Sequence, residues 1–338
     1  MRGQILICPQ ISEQMIQMLT ADTLIAWAKE LGFCEAGFCS PDDFDAAWEI
    51  VQSQPPLAER KQLRFHPVQD DPQIKSIAVL LWPYLPAPSG ERDRVFVDSY
   101  YGASNAAYQA ARFLEAKILE AGCFARANVA YPAKEAAMRA NMGVVGQHSL
   151  LITPAHGSRV VIILMATGIE ISHTASSGIR SCIRCGKCIK ACPTGAIDEE
   201  GMTHPERCLR NYMMEGIVIP VEMRAKMGMR LIGCDICQRA CPMQAVDTRP
   251  ESTQFQLSDF VTNDSQAFSR SVALLAQEIG RNIARPQRVR AQAAILAGNS
   301  KDPVYLPVLH AWAQLPFDAV REHALWAIEQ IELANRNT

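Results

Sequence analysis

The sequence contains the run Cys182-Ile-Arg-Cys185-Gly-Lys-Cys188-Ile-Lys-Ala-Cys192-Pro193, in which two, two and three residues separate the cysteines. A second run, Cys234-Asp-Ile-Cys237-Gln-Arg-Ala-Cys241-Pro242, repeats the latter part of this pattern. In such a motif three thiolates bind one [4Fe-4S] cluster, while the cysteine before the proline binds a neighbouring cluster. The spacing therefore predicts a bacterial ferredoxin-like domain that holds two [4Fe-4S] clusters.

The second run lacks its first cysteine, because Leu231 occupies that position. Cys208, between the two runs, can supply the missing thiolate, and the count then closes at eight ligands for two clusters. If each cysteine before a proline crosses to the other cluster, two ligand sets follow. The first set is Cys182, Cys185, Cys188 and Cys241, and the second set is Cys192, Cys208, Cys234 and Cys237. Zinc sites, which use cysteines in separated pairs, explain this spacing poorly.

The rest of the composition is that of an ordinary soluble globular protein. The chain has 338 residues, 49% of them hydrophobic, and 33 Lys and Arg against 35 Asp and Glu, which excludes a polycation that binds nucleic acid over its whole surface. Its longest apolar stretches are shorter than the roughly 20 residues that a membrane helix needs. We expect a cytoplasmic protein without a membrane segment, whose thiols stay reduced. The cysteines outside the two runs are expected to be small buried hydrophobes; they are Cys8, Cys34, Cys39 and Cys123.

Three regions follow one another along the chain. Residues 1–175 mix helix and strand patterns and predict an α/β domain. Residues 176–250 contain the cysteine runs. Residues 262–338 have apolar positions at helical spacing, interrupted by Gly298-Asn299 and Leu315-Pro316, which favours an α-solenoid fragment. Helices are predicted at 23–31, 106–121, 289–296 and 320–331, and strands at 76–82, 149–153 and 159–165.

Several motifs resemble the cobalamin-dependent epoxyqueuosine reductases, a family related to the reductive dehalogenases. The motifs are Arg207-Cys-Leu-Arg-Asn-Tyr212, Ile219-Pro220, Gly233-Cys-Asp-Ile-Cys-Gln238, Met142-Gly-Val-Val-Gly-Gln-His148 with Leu150-Leu-Ile152, Ala294-x3-Gly298-Asn299 and Val320-Arg-Glu-His-Ala-Leu-Trp-Ala327. The match is specific from about residue 95 onward. It implies an N-terminal domain that binds a base-off corrinoid, clusters that relay electrons to cobalt, and a C-terminal HEAT-like repeat that docks a tRNA anticodon arm.

The resemblance also implies a reaction and a set of contacts. The family reduces an epoxide on queuosine-modified tRNA by two electrons, and a reduced ferredoxin- or flavodoxin-type protein would supply them. The implied corrinoid contacts are Asn128, Gly143, Val145, Gly146, Gln147, His148, Thr153 and Tyr212. However, Asn128 occupies the place of the family's aspartate proton donor, and an amide cannot release a proton at neutral pH. A paralogue that acts on another substrate is therefore expected.

Other residues near this position offer alternative roles. Tyr131, with a pKa lowered by Lys134, is a candidate proton donor by similarity to the dehalogenases, although a Tyr-Pro turn before a solvated helix explains the same residues. His148 can be an axial ligand, an acid or a hydrogen-bonding residue, and a base-off cofactor disfavours the first role. Gly143 and Gly146 either admit a macrocycle or only form a turn.

The C-terminal region concentrates positive charge, which could contact RNA phosphates or could be solvated helix surface, partly offset by Glu278. The residues are Arg270, Arg281, Arg285, Arg288 and Arg290. Two readings compete with the reductase: a ferredoxin-like electron carrier without corrinoid, and an RNA-binding scaffold with structural clusters. The glycine segment 143–152 favours the reductase, because an electron carrier has no need of it.

Overall fold

The computed structural model describes residues 19–53, 63–87, 93–171, 181–244 and 255–336. The first region combines a sheet with helices on both of its faces. Its elements are α1 Ala21–Glu30, β1 Glu35–Cys39, α2 Asp45–Gln52, α3 Pro67–Asp70, β2 Ser76–Pro83, β3 Phe96–Val97, α4 Ser99–Glu120, β4 Ala125–Ala127, α5 Ala133–Arg139, β5 Val144–Val145, β6 Leu151–Ile152 and β7 Val160–Thr167.

The main sheet has the strand order β1-β2-β7-β4, and all three pairings are antiparallel. Alternate residues of β2 face opposite sides: Leu80 joins the core beneath α1 and α4, whereas Val79 joins the core beneath α5. Because helices cover both faces, β2 is an unbroken apolar run rather than an alternating one. The predicted mixture of helix and strand is present, with an antiparallel sheet at its centre.

Local capping sets the ends of α4. The Asp98 side chain accepts a hydrogen bond from the Tyr100 N–H at 3.0 Å, so the helix begins seven residues before the predicted start at Ala106. It ends before Gly122, whose φ of 79° lies in the left-handed region that glycine favours.

The cysteine region is built from short elements and is joined to the first region by a two-stranded sheet. Its elements are α6 Lys187–Ala191, α7 Leu209–Glu215, α8 Val221–Arg224, β8 Arg230–Ile232 and α9 Ile236–Ala240. Strand β3 pairs with β8 in parallel. Residues near 96 therefore belong structurally with the cysteine region, although they lie within the predicted 1–175 domain.

The C-terminal region is helical, as expected, with α10 Ser265–Ile279, α11 Pro286–Ser300, α12 Leu306–Trp312 and α13 Asp318–Arg336. Helix α11 is buried on nearly all sides and packs closely on α13. One continuous hydrophobic core contains residues of β3, α7, β8 and all four C-terminal helices. The HEAT-like character of these helices stays a prediction. Within the described ranges, no helix has the length and apolar character to cross a membrane.

Candidate iron-sulfur site and adjoining residues

The two cysteine runs fold into a repeated unit. Helix α6 contains Cys188 and ends at Cys192, and helix α9 contains Cys237 and ends at Cys241. In each unit the N–H of the last cysteine donates to a carbonyl three residues earlier, at 3.2 Å from Cys192 to Ile189 and at 3.0 Å from Cys241 to Gln238. The proline that follows each last cysteine is typical of a helix end. The two short helices pack against each other, so the runs face one another.

Electrostatic interactions between thiols group the cysteines as the crossing predicts. The Cys241 thiol interacts with Cys182 and Cys185 of the other run. The Cys237 thiol interacts in the same way with Cys192 of the other run. Its remaining neighbours are Cys234, Cys208 and Cys188. Each predicted set is thus brought together, and the electrostatic interaction between Cys188 and Cys237 indicates that the two sets are neighbours.

The environment of the thiols fits iron-sulfur clusters. Burial raises the pKa of Cys234 to about 11 and raises that of Cys237 further, so a thiolate in either place requires a compensating cation such as iron. Burial also acts to raise the pKa of Cys192, but hydrogen bonds from Thr194 and the Ala196 N–H outweigh it and lower the pKa. The Ala196 nitrogen lies 3.3 Å from the Cys192 sulfur, a contact that stabilises a thiolate ligand.

The position at which the second run lacks its first cysteine belongs to the hydrophobic core. Leu231 is fully buried in β8, whereas Cys208 precedes the first turn of α7. Further along α7, the Tyr212 hydroxyl donates to the Glu206 carbonyl at 2.5 Å, so its polar group closes the turn around Cys208. In the part of the chain that the structure describes, no three His, Cys, Asp or Glu side chains gather closely enough to hold a single metal ion.

The two cysteine sets differ in solvent exposure. Cys185 of the first set is exposed, and no member of the second set is. The loop around Cys185 is held open by left-handed backbone at Arg184, with a φ of 49°, and at Gly186, with a φ of 71°. The Gly186 N–H donates to the Gln147 side chain at 3.3 Å, which ties this loop to the first region. The first set is therefore the one that meets solvent.

Two cysteines outside the runs have the expected structural character. Burial raises the pKa of Cys34 to about 11 and that of Cys39 to about 12, which makes both thiols unreactive. Cys123 is half-buried, and Cys8 lies outside the described residues.

Asn128 directly follows β4 and has a left-handed φ of 58°, a conformation that asparagine tolerates. Its side-chain nitrogen donates to the Tyr108 carbonyl at 3.4 Å. Its side-chain oxygen is buried and has no hydrogen-bond partner among the described residues. An acceptor left in this state suits a ligand that brings a donor.

The predicted pairing of Tyr131 with Lys134 is wrong. The Tyr131 side chain is buried against Phe44, and its hydroxyl donates to Asp70 at 3.0 Å. Burial first and the Asp70 carboxylate second raise the pKa of Tyr131, whereas a proton donor assisted by lysine requires a lowered one. The Lys134 ammonium instead donates to the Ser149 carbonyl at 2.7 Å. The alternative, a Tyr-Pro turn before helix α5, describes the structure.

The glycine segment forms a hairpin that packs on itself. A Cβ atom on Gly143 would lie 2.6 Å from the Ile152 carbonyl oxygen, and one on Gly146 would lie 2.6 Å from the Ile152 side chain. Val145 pairs with Leu151 in this hairpin, and the Thr153 hydroxyl donates to the Gly157 carbonyl. The two glycines are therefore required by the protein's own packing, as the turn alternative predicts.

His148 is buried and neutral. Burial first and Lys134 second lower its pKa to about 4. Its Nδ1 accepts a hydrogen bond from the Leu150 N–H at 3.2 Å, so the ring proton lies on Nε2. This Nε2 is buried without a hydrogen-bond partner in the described structure. It presents a donor, which argues against metal ligation through this nitrogen.

His148 and Asn128 together fit a corrinoid in one respect. The first leaves a buried donor unsatisfied and the second a buried acceptor. The carboxamides at the edge of a corrin ring carry both a carbonyl acceptor and an amide donor, so they complement both side chains.

A polar junction between the first region and the cysteine region was missed by the sequence analysis; we define it as Tyr84, Asp98, Tyr101, Asp235 and Gln238. Burial, and to a smaller extent the charge of Asp235, raises the pKa of Asp98 to about 6, against the opposing effect of the Tyr100 N–H. A Cβ atom on Gly233, next to Cys234, would lie 2.5 Å from that of Asp98. The Gln238 amide donates to the Tyr84 hydroxyl at 2.9 Å. The capping pattern of Asp98 before Ser99-Tyr100 was the available signal.

The predicted basic surface of the C-terminal region is reduced by two residues. Arg288 is buried and donates to the Met214 carbonyl at 2.6 Å, and Arg290 lies 4.3 Å from the centre of the Phe268 ring. Both side chains make packing contacts within the helical region, whereas the sequence analysis counted them as part of a basic surface. Arg270, Arg281 and Arg285 are exposed.

Comparison with known proteins supports this organisation. Residues 181–244 match the family model of a 4Fe-4S double cluster binding domain. The chain is 28% identical to the epoxyqueuosine reductase of Lactococcus garvieae over 211 residues, which are 59% of this chain and 58% of the relative. With the Bacillus subtilis enzyme it shares 25% identity over 341 residues, which are 92% of this chain and 87% of that one.

The fold itself has a close structural relative. A solved epoxyqueuosine reductase in complex with an epoxyqueuosine-modified tRNA stem loop superposes with a TM-score of 0.78, covering 92% of this chain and 89% of that chain at 24% identity. The resemblance predicted from the motifs is confirmed, as is the double cluster domain. The chain is thus similar to the epoxyqueuosine reductases over nearly its whole length.

Proposed function

We propose that this protein is an iron-sulfur, corrinoid-dependent reductase that works in the cytoplasm on a modified tRNA. The observation that carries the proposal is that the two cysteine runs pack together, so that Cys241 interacts with Cys182 and Cys237 with Cys192. The polar junction adjoins the second run, because Gly233 packs against Asp98. Named reductases among the relatives, and the solved complex of one with a tRNA stem loop, support the class of reaction and of substrate.

When bound, the clusters and the corrinoid would supply single electrons to the substrate site. The residues of this chain that would hold the corrinoid are His148, through its unsatisfied Nε2–H, and Asn128, through its unsatisfied oxygen. The hairpin 144–152 would place His148, and the left-handed turn after β4 would place Asn128.

Removal of an epoxide oxygen to give an alkene consumes two electrons and two protons and releases water. Asn128 cannot provide a proton, and the pKa of Tyr131 is raised, so neither meets this requirement. Asp98 can supply a proton, because its pKa of about 6 leaves a protonated fraction at neutral pH. We propose Asp98 as the acid that serves the substrate site in place of the family's aspartate, with either epoxyqueuosine or a related modified base as substrate.

A spectroscopic experiment tests whether the protein is a corrinoid-dependent iron-sulfur reductase. Anaerobically reconstituted protein is mixed with cob(II)alamin, and electron paramagnetic resonance spectra are recorded before and after addition of dithionite. We expect a base-off cobalt signal together with reduced cluster signals. Cobalt that stays base-on beside the same clusters would contradict the corrinoid enzyme and favour the electron carrier. A His148→Leu variant serves as a matched control, because loss of its donor should weaken cobalamin binding without changing the cluster signals.

A further inference from the structure

The solvent-facing cluster set lies at a surface with a distinct composition. Cys185 is exposed, and so are the two residues that precede it, Ile183 and Arg184. We define the Cys185 face as Ile183, Arg184, Cys185, Lys187 and Lys190. Ile183 is 61% exposed, so an isoleucine side chain meets solvent beside the exposed cysteine.

The charge of this face is uncompensated locally. Arg184, Lys187 and Lys190 are exposed and lie within seven residues, while the whole chain has a formal charge of -2. None of the three forms an ion pair with a carboxylate in the described ranges of the chain. The nearest acidic residues in the sequence are Asp198, which pairs with His204 at 2.9 Å, and the exposed Glu199 and Glu200 on the following turn.

A partner that delivers electrons must approach where a cluster ligand reaches the surface. Transient redox partners bury small interfaces, and charge complementarity steers their encounter more than it holds them together. Three exposed cations and an exposed apolar side chain, all close in the sequence to an exposed cluster cysteine, fit this mode of binding. RNA fits less well, because the face has no aromatic side chain on which a base could stack.

We propose that the Cys185 face docks a small acidic one-electron carrier protein of the flavodoxin or ferredoxin class; the proposal rests on the function proposed above. In each encounter a flavodoxin hydroquinone would lose one electron and become a semiquinone, and the first-set cluster would gain that electron. Two encounters supply the two electrons that the reduction requires. Arg184, Lys187 and Lys190 attract the acidic partner, and Ile183 provides the apolar contact.

The test uses the reconstituted protein and a flavodoxin. Calorimetry with oxidised flavodoxin gives the dissociation constant without turnover, and stopped-flow absorbance with flavodoxin hydroquinone gives the rate of cluster reduction. We expect the affinity and the rate of the unmodified protein to fall about tenfold as NaCl rises from about 20 mM to about 200 mM. In Lys187→Glu/Lys190→Glu, both should fall by about tenfold or more at low salt, while reduction by dithionite stays unchanged.

The control is Lys29→Glu/Lys226→Glu, which makes the same charge change at two exposed lysines that are not part of the Cys185 face. It should leave both quantities within about twofold of the unmodified protein. If the charge-reversed variant Lys187→Glu/Lys190→Glu loses iron, Lys187→Ala/Lys190→Ala is used in its place. If the Lys187/Lys190 variants kept their clusters and showed an unchanged flavodoxin affinity and an unchanged rate of cluster reduction, the proposal would be overturned. It would also be overturned if these variants bound a tRNA stem loop more weakly while their binding of flavodoxin was unaffected. Failure of the unmodified protein to bind cobalamin would instead count against the proposed function alone.

Discussion

Asn128 occupies the position that the family resemblance assigns to an aspartate proton donor. Asparagine and aspartate are nearly the same size and both tolerate its left-handed φ of 58°, so Asn128→Asp should fold normally. A carboxyl group at this place would add general acid catalysis, which is worth about 10²- to 10⁴-fold in rate. We therefore expect Asn128→Asp to increase conversion of epoxyqueuosine in a tRNA stem loop at least tenfold, measured by mass spectrometry of the released nucleosides.

The matched control for this change is Asn128→Gly, which also accepts a positive φ but has no acid. It should show no gain. Equal conversion by Asn128→Asp and the unmodified protein, with clusters and tRNA binding intact, would show that position 128 does not deliver the proton.

His323 makes the stability of the molecule depend on pH. It is fully buried, its Nε2 accepts from the Ile219 N–H at 2.8 Å, and its Nδ1 lies 2.9 Å from the Ala291 carbonyl oxygen. Burial lowers its pKa to about 4, against the opposing effect of the Ala291 bond. The unfolded side chain titrates near 6.5. Its contribution is therefore complete above pH 6.5 and is lost as the pH falls from 6.5 towards 4.

His323→Gln should flatten this pH dependence. The loss between pH 7 and pH 4 should be smaller by about 3 kcal/mol in the variant, an order-of-magnitude figure from the shift of the pKa. Urea unfolding of the reconstituted protein at several pH values measures it. His310→Gln, at an exposed position of α12, should retain the slope of the unmodified protein. Parallel curves for His323→Gln and the unmodified protein would contradict this role.

At the scale of elements, the sequence predicted the strongly patterned segments and missed those that tertiary contacts define. Strand β2 and helix α13 were recognisable from continuous and periodic apolar residues. The early start of α4 depends on the Asp98 cap, and the short pairing of β3 with β8 joins segments more than 130 residues apart. No local pattern announces such a pairing, because each strand has only two or three residues.

The candidate site shows the same division. The cluster cysteines are readable because metal chemistry fixes their spacing. The environment of Tyr131 could not be predicted, since burial and a hydrogen bond to Asp70, which is 61 residues away in the sequence, raise its pKa. Arg288 and Arg290 were taken for surface cations because burial of an arginine is visible only once its partners are in place.

The packing of helix α6 against α9 leads to a prediction about which cysteines bind the same cluster. If the last cysteine of each run serves the other cluster, Cys241→Ser should remove the same electron paramagnetic resonance signal as Cys182→Ser. Cys192→Ser should remove the same signal as Cys237→Ser. Each variant should keep about half of the iron. Cys123→Ser, outside both sets, should keep all of it. Loss of one signal by both Cys192→Ser and Cys182→Ser would show that the runs do not cross.

The close approach of α11 and α13 depends on Gly298. A Cβ atom there would lie 2.8 Å from the Ala327 Cα and 2.8 Å from the Trp326 ring. Alanine favours a helix over glycine by about 1 kcal/mol, but overpacking costs about 1–3 kcal/mol. We expect Gly298→Ala to lower the free energy of unfolding by up to about 2 kcal/mol in urea titration. Gly102→Ala, in α4, would meet its nearest atom at an ordinary 3.4 Å and should be neutral or stabilising. Equal effects of the two changes would contradict the packing argument.

Across the whole molecule, one hydrophobic core joins the C-terminal helices to the segment that supplies the second cysteine set. Helix α7, which begins after Cys208, contributes Leu209 and Met213 to this core. The end of α7 is held by α11, because Arg288 donates to the Met214 carbonyl and Gln292 to the Met213 carbonyl. The helical region is therefore a support for the cluster region as well as a candidate surface for RNA.

This coupling predicts that a change in the helical region weakens one cluster more than the other. Arg288→Met keeps the length of the side chain but removes its donors, which leaves the Met214 carbonyl buried and costs about 1–3 kcal/mol. Because α7 supplies Cys208 to the second set, we expect that cluster to be lost several times faster in the presence of an iron chelator. The electron paramagnetic resonance signal that Cys237→Ser removes identifies it. Arg285→Met, three residues away and exposed, is the control and should behave as the unmodified protein. If Arg288→Met lost both signals at the same rate, the support would act on the fold as a whole and not through α7.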